Sequence, residues 1–437
     1  MELRKMQSYE EAVAYLSDAP RFTSGYEIER TTAIWRRLGE PGRSCAVVHV
    51  AGTNGKGSVC ACLRSLFLAV GKKVCMFTSP HLTDIRERFV CGNEWIVEQE
   101  LLACLNRVLE VLSEEEDYTP NFSELLFYVY QVYLERSDAE ISILETGMGG
   151  RLDPTNALPD KDLAVLTRIG LDHMAYLGDT IGQIAAEKAG ILRPGRPVVY
   201  SDLVPEASEV IRAKARSLGC REYPVSDRSF SDVVKGQKNI DFSLHTRYYG
   251  TKRLSVPVSA LYQVENVSLA VTAAEVLLPE GELTDRVLQS GLSAFTWEAR
   301  MEEIFPGVFL DGAHNIDGIR ALLETVRADG CKGKRLLLAG MLADKAYPEM
   351  LRTLAGSGLF AGVRLTGLRC ARSATGAQLS EVLNDFSWPG MGVQVTEDPW
   401  EALCAMRAEA APEDRIYVAG SLYLAGEIKE HMRHDQL

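Results

Sequence analysis

Residues 45–50 form a nearly continuous apolar run, the pattern of a strand buried on both faces. A glycine-rich turn follows, then a helical stretch over 58–70 closed by Gly71, then a second strand over 73–78. This is a βαβ unit, which predicts a parallel sheet with helices on its faces. Upstream, Ser8 with Glu11 three residues later is a capping-box signal, and Tyr9, Val13 and Leu16 share one face of the helix it opens. Residues 141–144, 163–169 and 197–200 read as further short strands separated by helices. Between 241 and 259 the period changes to alternation, with Phe242 and Leu244, then Leu254, Val256 and Val258, predicting a hairpin or small antiparallel sheet. After Trp297 the βα rhythm restarts, with strands expected at 308–310, 335–339, 362–366, 393–396 and 415–419. Two α/β domains are therefore expected, 1–296 and 297–437, and the second is the smaller.

The chain has 437 residues, too many for one ordinary core. Its balance of 46% apolar and 24% charged residues is that of a globular protein. With 47 Lys+Arg against 60 Asp+Glu the formal charge is −13, which argues against broad contact with nucleic acid or an anionic membrane. An anionic substrate must then be held by a local cluster of donors. Residues 1–20 show no apolar signal core, and no segment offers about 18 uninterrupted apolar residues. The ten cysteines form no CxxC pair, so reduced thiols and a cytoplasmic location are expected.

The strongest chemical signal is Gly52-Thr53-Asn54-Gly55-Lys56-Gly57-Ser58, set between a strand and a helix. Glycines let backbone N–H groups converge on one anion, the helix N-terminus adds its positive end, and Lys56 adds a mobile cation. Gly57 separates Lys56 from Ser58, a departure from GxxxxGK[ST] that disfavours a kinase or GTPase. Ser79, Glu145 and His173 each fall at the carboxyl end of an expected strand, the side that faces a binding crevice. Together they suit Mg²⁺ beside phosphates; singly they read as a turn residue, a cap and a loop histidine. Glu145-Thr146-Gly147-Met148-Gly149-Gly150-Arg151 is a second glycine-rich turn, for which ligand contact and a plain turn fit equally well. Lys188 sits among Ala185, Ala186 and Ala189 on an expected helix, where a solvated face is the better reading of the residues alone. Asp311-Gly312-Ala313-His314-Asn315 suits a nucleotide contact or a reacting carboxylate, with a capping role for Asn315 as the alternative.

These residues resemble the folylpolyglutamate synthases and dihydrofolate synthases of the Mur ligase superfamily, over nearly the whole chain. The resemblance rests on Ala51 through the loop to Ser58, Ser79-Pro80-His81-Leu82, the turn after Leu144-Glu145, Leu171-Asp172-His173, Glu187-Lys188-Ala189-Gly190, Tyr262-Gln263 with Asn266, the Asp311 segment, and Gly420-Ser421-Leu422-Tyr423-Leu424-Ala425-Gly426. The fold it implies is a P-loop-containing, Mur-ligase-like central domain with a small β subdomain, plus a Rossmann-like C-terminal domain.

The resemblance also implies roles. Thr53, Asn54, Gly55, Lys56, Gly57 and Ser58 would wrap ATP phosphates; Ser79, Glu145 and His173 would hold Mg²⁺; a carbamylated Lys188 would hold a second Mg²⁺. Asn266, Arg300 and Asp311 match ATP contacts, with Arg300 and His314 also expected in catalysis. Phe122, Ser123 and Glu124 with Leu152, Asp153 and Pro154 match the lining of the pterin or pteroate pocket. The expected reaction joins L-glutamate to a folate, and to dihydropteroate as a further acceptor, through an acyl phosphate. A monovalent cation and a monomeric state complete the expectation. A non-ligase P-loop NTPase and an inactive folate-binding protein are the alternatives. Trp297-Glu298-Ala299-Arg300 departs from the family's usual Trp-Pro-Gly-Arg, and Pro154 replaces a usual alanine.

Overall fold

The computed structural model describes residues 4–21, 27–115, 118–384 and 392–434. They pack as two compact units, the first made of 1–231, 243–254 and 265–295, the second of 232–242, 255–264 and 296–437.

The first unit is built on an eight-stranded sheet: β1 (Ala46–Ala51), β2 (Val74–Phe77), β3 (Phe89–Cys91), β4 (Glu94–Trp95), β5 (Ile141–Glu145), β6 (Leu163–Leu166), β7 (Val198–Ser201) and β8 (Glu222–Val225), in the order β4-β3-β2-β5-β1-β6-β7-β8. β1 lies parallel between β5 and β6, with Val50 opposite both Glu145 and Val165. That register brings the carboxyl ends of three strands together, as a doubly wound sheet requires. One face is covered by two cores side by side, one that includes Leu16, Trp35, Leu105 and Phe127 and one that includes Ile184, Leu192 and Ile211, while Val48, Val50, Met76, Ile143 and Val165 point to the other face. The expected parallel strands form, but β3 and β4 run antiparallel at one edge. They are too short, at three and two residues, to leave a periodic signal. The antiparallel β2–β3 pairing sets Cys75 opposite Cys91, and the pair is joined as a disulfide, Cα to Cα 4.2 Å, where free thiols are expected.

The alternating region forms a three-stranded sheet of its own, β9 (Phe230–Lys235), β10 (Ile240–His245) and β11 (Thr251–Val256), in the order β11-β10-β9. The division between the units passes through each of these strands. The second unit carries β12 (Glu302–Phe305), β13 (Val308–Leu310), β14 (Arg335–Ala339), β15 (Gly362–Leu365), β16 (Gly392–Val395) and β17 (Arg415–Ala419), in the order β12-β13-β17-β14-β15-β16, parallel except for the β12–β13 pair. Its core gathers Ile319, Leu337, Leu351 and Tyr417, and Ala260 from the 255–264 segment joins them.

Candidate functional site

The phosphate loop is shaped by two glycines. Gly52 has φ +153° and lies so close to Thr167 that an added Cβ would sit 1.8 Å from its Oγ1. Gly55, φ +95°, is the N-cap of the helix Lys56–Val70 and offers it no capping side chain. A helix N-terminus without a capping side chain suits an anion. The loop is braced from behind: the Thr53 and Asn54 N–H groups donate to the Arg168 carbonyl at 3.0 and 3.3 Å, and the Thr53 hydroxyl bonds Gly170. Arg168 in turn pairs with buried Glu265 at 2.9 Å, on the helix Gln263–Leu277. Asn266, one residue on, packs directly on Gly55.

This contact makes a paired prediction. A Cβ on Gly55 would lie 2.2 Å from Asn266 Oδ1, whereas one on Gly71, at nearly the same φ of +92°, meets nothing within 4 Å. Gly71→Ala should cost only the left-handed backbone, about 1–2 kcal/mol in denaturant unfolding, and Gly55→Ala roughly 1–3 kcal/mol more. Equal losses would show that Asn266 yields freely.

Two lysines converge on one carbonyl. Lys56 Nζ donates to the Gly52 and Thr53 oxygens at 3.2 and 3.3 Å, and Lys188 Nζ donates to the Gly52 oxygen at 2.7 Å. Lys188 is 4% exposed, so the solvated-face reading is corrected: the helix Ile181–Ala189 turns this residue into the sheet, under the loop. Burial, with Lys56 as the second cause, pushes its ammonium down to about 7.

Ser79 and Glu145 are brought together. Glu145, the last residue of β5 and 3% exposed, accepts the Ser79 N–H at 3.1 Å. His173 stands on a separate segment in the left-handed region, φ +52°, its ring half-exposed and its N–H held by Asp172 at 2.8 Å. Nearby hydroxyls of Thr146 and Thr167 are buried without a hydrogen-bond partner. Among the described residues no group of three or more His, Cys, Asp or Glu is placed to hold a metal. The donor set of one hydroxyl and one carboxylate nevertheless fits Mg²⁺, which takes few protein ligands and completes its shell with water and phosphate oxygens.

Of the expected substrate-lining residues, Glu124 and Asp153 carry structural hydrogen bonds. Glu124, 5% exposed, closes a capping box with Asn121 and accepts the Thr31 hydroxyl at 3.1 Å, so its carboxylate is already engaged. Asn121 three residues before Glu124 is the sequence signal for it. Ser123 is exposed, and Phe122 is buried beneath the Arg21 guanidinium, 3.9 Å from the ring centroid, with Arg88 at 5.4 Å. Arg88 also donates to His81 Nδ1 at 2.8 Å, and burial with that charge pushes His81 down to about 4. Asp153 is buried and accepts the N–H groups of Gly147, Met148 and Thr155, fixing the glycine-rich turn after Glu145. Leu152 is exposed, and Pro154 is the first residue of a 3₁₀ turn, where a missing N–H costs nothing.

In the second unit Asp311, 3% exposed, accepts Tyr262 Oη at 2.6 Å, Met301 N–H at 2.9 Å and Ala313 N–H at 2.9 Å. Ala299 and Met301, flanking Arg300, have φ of +53° and +52°. The glycine usual at position 299 is thus a backbone requirement that alanine meets with strain. Arg300 donates to the Ala299 carbonyl at 2.7 Å, and the His314 ring shares a 2.9 Å bond with the Gly312 carbonyl. Asn315 caps the helix Ile316–Arg327 through the Gly318 N–H, as its alternative reading held.

The Mur ligase middle domain matches residues 50–274, and the Mur ligase, glutamate ligase domain matches 299–422. Dihydrofolate synthase/folylpolyglutamate synthase of Bacillus subtilis is 31% identical, over 98% of this chain and 99% of the relative. Folylpolyglutamate synthase of Lacticaseibacillus casei is 32% identical over 97% and 98%. Among solved structures, E. coli FolC in complex with DHPP and ADP superposes with a TM-score of 0.87 at 26% identity, over 99% of this chain and 100% of that one. A bifunctional folylpolyglutamate synthase/dihydrofolate synthase with Mn, AMPPNP and L-glutamate bound gives 0.83 at 26%, over 98% and 99%. With both domain families in order along one chain, and relatives matched from end to end, the chain belongs to the folylpolyglutamate synthase/dihydrofolate synthase family of the Mur ligase superfamily.

Proposed function

We propose that the chain is an ATP-dependent ligase that joins L-glutamate to a folate, and also to dihydropteroate, through an acyl phosphate. The observation that carries this is the convergence of Lys56 and Lys188 on the Gly52 carbonyl, beneath a helix N-terminus with no capping side chain. The relatives named folylpolyglutamate synthase and dihydrofolate synthase, and the related structures with ADP, AMPPNP, DHPP and glutamate, support the substrates.

Amide formation needs a better leaving group than oxide. The acceptor carboxylate attacks the γ-phosphorus of ATP, releasing ADP, and the glutamate amine then displaces phosphate from the acyl carbon. The protein supplies position and charge, with little covalent help. Thr53, Asn54, Gly55, Lys56, Gly57 and Ser58 would hold the phosphates, and Asn266, Arg300, Asp311 and His314 would contact nucleotide or reacting groups. Ser79, Glu145 and His173 would hold one Mg²⁺, and Lys188, once carbamylated, a second. Bound there, the metal would neutralise charge on the phosphate oxygens. For substrate contact Phe122 remains the best candidate of its segment, since Glu124 and Asp153 are engaged elsewhere.

The functional division proposed is an ATP-binding unit over 1–296 and a C-terminal unit over 297–437. A monomer in the cytoplasm, with a monovalent cation as a further ligand, completes the proposal. Among the described residues no helix is long and apolar enough to cross a membrane. The test is ADP release with dihydropteroate and with tetrahydrofolate, each with and without glutamate. Glutamate-dependent release with either acceptor is expected; release indifferent to glutamate would make the chain a plain NTPase, and no release with either would remove the folate assignment.

A further inference from the structure

Arg300 is presented by an awkward piece of backbone. The residues on either side of it, Ala299 and Met301, both lie in the left-handed region that side-chain-bearing residues rarely adopt, and both are buried. Such a turn persists only where its surroundings fix it at several points. Here the fixings can be named. The Ala299 N–H donates to Glu302 Oε2 at 2.9 Å, the Ala299 carbonyl accepts the Gly312 N–H at 2.8 Å, and the Met301 N–H donates to Asp311 Oδ2 at 2.9 Å. The Arg300 guanidinium packs over Gly312, where a Cβ would come within 2.7 Å of Nη1.

The Asp311 oxygen that holds Met301 is shared with one other donor, the phenol of Tyr262 at 2.6 Å. Tyr262 is itself anchored: the preceding Leu261 N–H donates at 3.0 Å to the Thr325 hydroxyl, fully buried in the helix Ile316–Arg327. A strut thus runs from that helix through Leu261 and Tyr262 to Asp311, and from Asp311 to the turn that carries Arg300. Among the described residues Oδ2 takes two donors and Oδ1 takes the Ala313 N–H, so the remaining acceptor capacity of Asp311 lies on Oδ1.

We propose that Tyr262 is a positioning residue for nucleotide binding: by occupying Oδ2 of Asp311 together with the Met301 N–H, it fixes the left-handed turn that aims Arg300 and leaves Oδ1 of Asp311 for the ligand. The proposal rests on the reading of Arg300 and Asp311 as ATP contacts.

Tyr262→Phe keeps the ring and removes only the phenol oxygen. The steady-state parameters for ATP are to be compared in wild type, Tyr262→Phe, Arg300→Ala and the double variant, at saturating acceptor and glutamate. Tyr262→Phe is expected to raise KM for ATP roughly tenfold with kcat within about threefold. Because Tyr262 acts through Arg300, the double variant should be no more than about twofold worse than Arg300→Ala. A wild-type KM in Tyr262→Phe beside a weakened Arg300→Ala overturns the proposal alone, and so do losses that multiply in the double variant. A Phe variant melting more than about 10 °C below wild type assigns Tyr262 a merely structural role and also overturns it. Wild-type parameters in Arg300→Ala overturn the reading of Arg300 itself, and the proposal with it.

Discussion

Lys56→Ala is expected to lower kcat for ADP release by about 10²–10³-fold while the protein melts within a few degrees of wild type. The side chain is half-buried, and among the described residues its hydrogen bonds go to the Gly52 and Thr53 carbonyls, so little packing is lost with it. What is lost is a cation at the N-terminus of the helix Lys56–Val70, where negative charge spreads over the transferring phosphoryl group. A folded variant that keeps more than a few per cent of wild-type turnover would place the phosphate elsewhere.

Lys188→Ala should also lose activity by about 10²-fold or more, and for a different reason, so that a short carboxylate such as acetate restores part of it. The side chain is enclosed, and its amine is pushed down to about 7. At pH 7.5 about three-quarters of such amines are neutral, against about one in a thousand at the ordinary value. Only the neutral amine attacks CO₂, forming the N–C bond of a carbamate and releasing one proton. The sign follows: carbamylation gains as pH rises through about 7 and is lost below it. Intact-mass measurement or a nucleotide-bound crystal with Mg²⁺ at neutral pH reads the modification directly. A bare ammonium there, together with no acetate rescue, would leave Lys188 a structural brace of the Gly52 carbonyl.

The sequence was most informative where the physics is local. The phosphate loop could be read from its glycines because left-handed backbone at Gly55 and close approach at Gly52 are demands of a few consecutive residues. Half of the expected capping box at Ser8 forms, with Glu11 N–H donating to the Ser8 hydroxyl, while the Glu11 carboxylate takes the Gln7 N–H instead of that of Ser8. Lys188 was misread from its neighbours alone because burial is decided by Gly52, distant in sequence, and not by the alanines beside it. The same holds for Asp153 and Glu124: a carboxylate in a polar turn looks available until the N–H groups it caps are known. The strut of Tyr262, Asp311 and Met301 joins residues separated by 49 and 10 positions, and no window of sequence contains it.

The division of the chain between its two units sets an order of events during synthesis. Residues 232–242 and 255–264 leave the ribosome before the chain they pack with, 296–437, has been made. At about 5–20 residues per second the wait is roughly 9–35 s. Ala260, fully buried in the core of the second unit in the finished protein, stays exposed for that time, unless shielded by chaperones. A truncated message ending near residue 296 would leave it permanently uncovered. The nascent chain, rather than the mature enzyme, is therefore where this architecture is most open to aggregation.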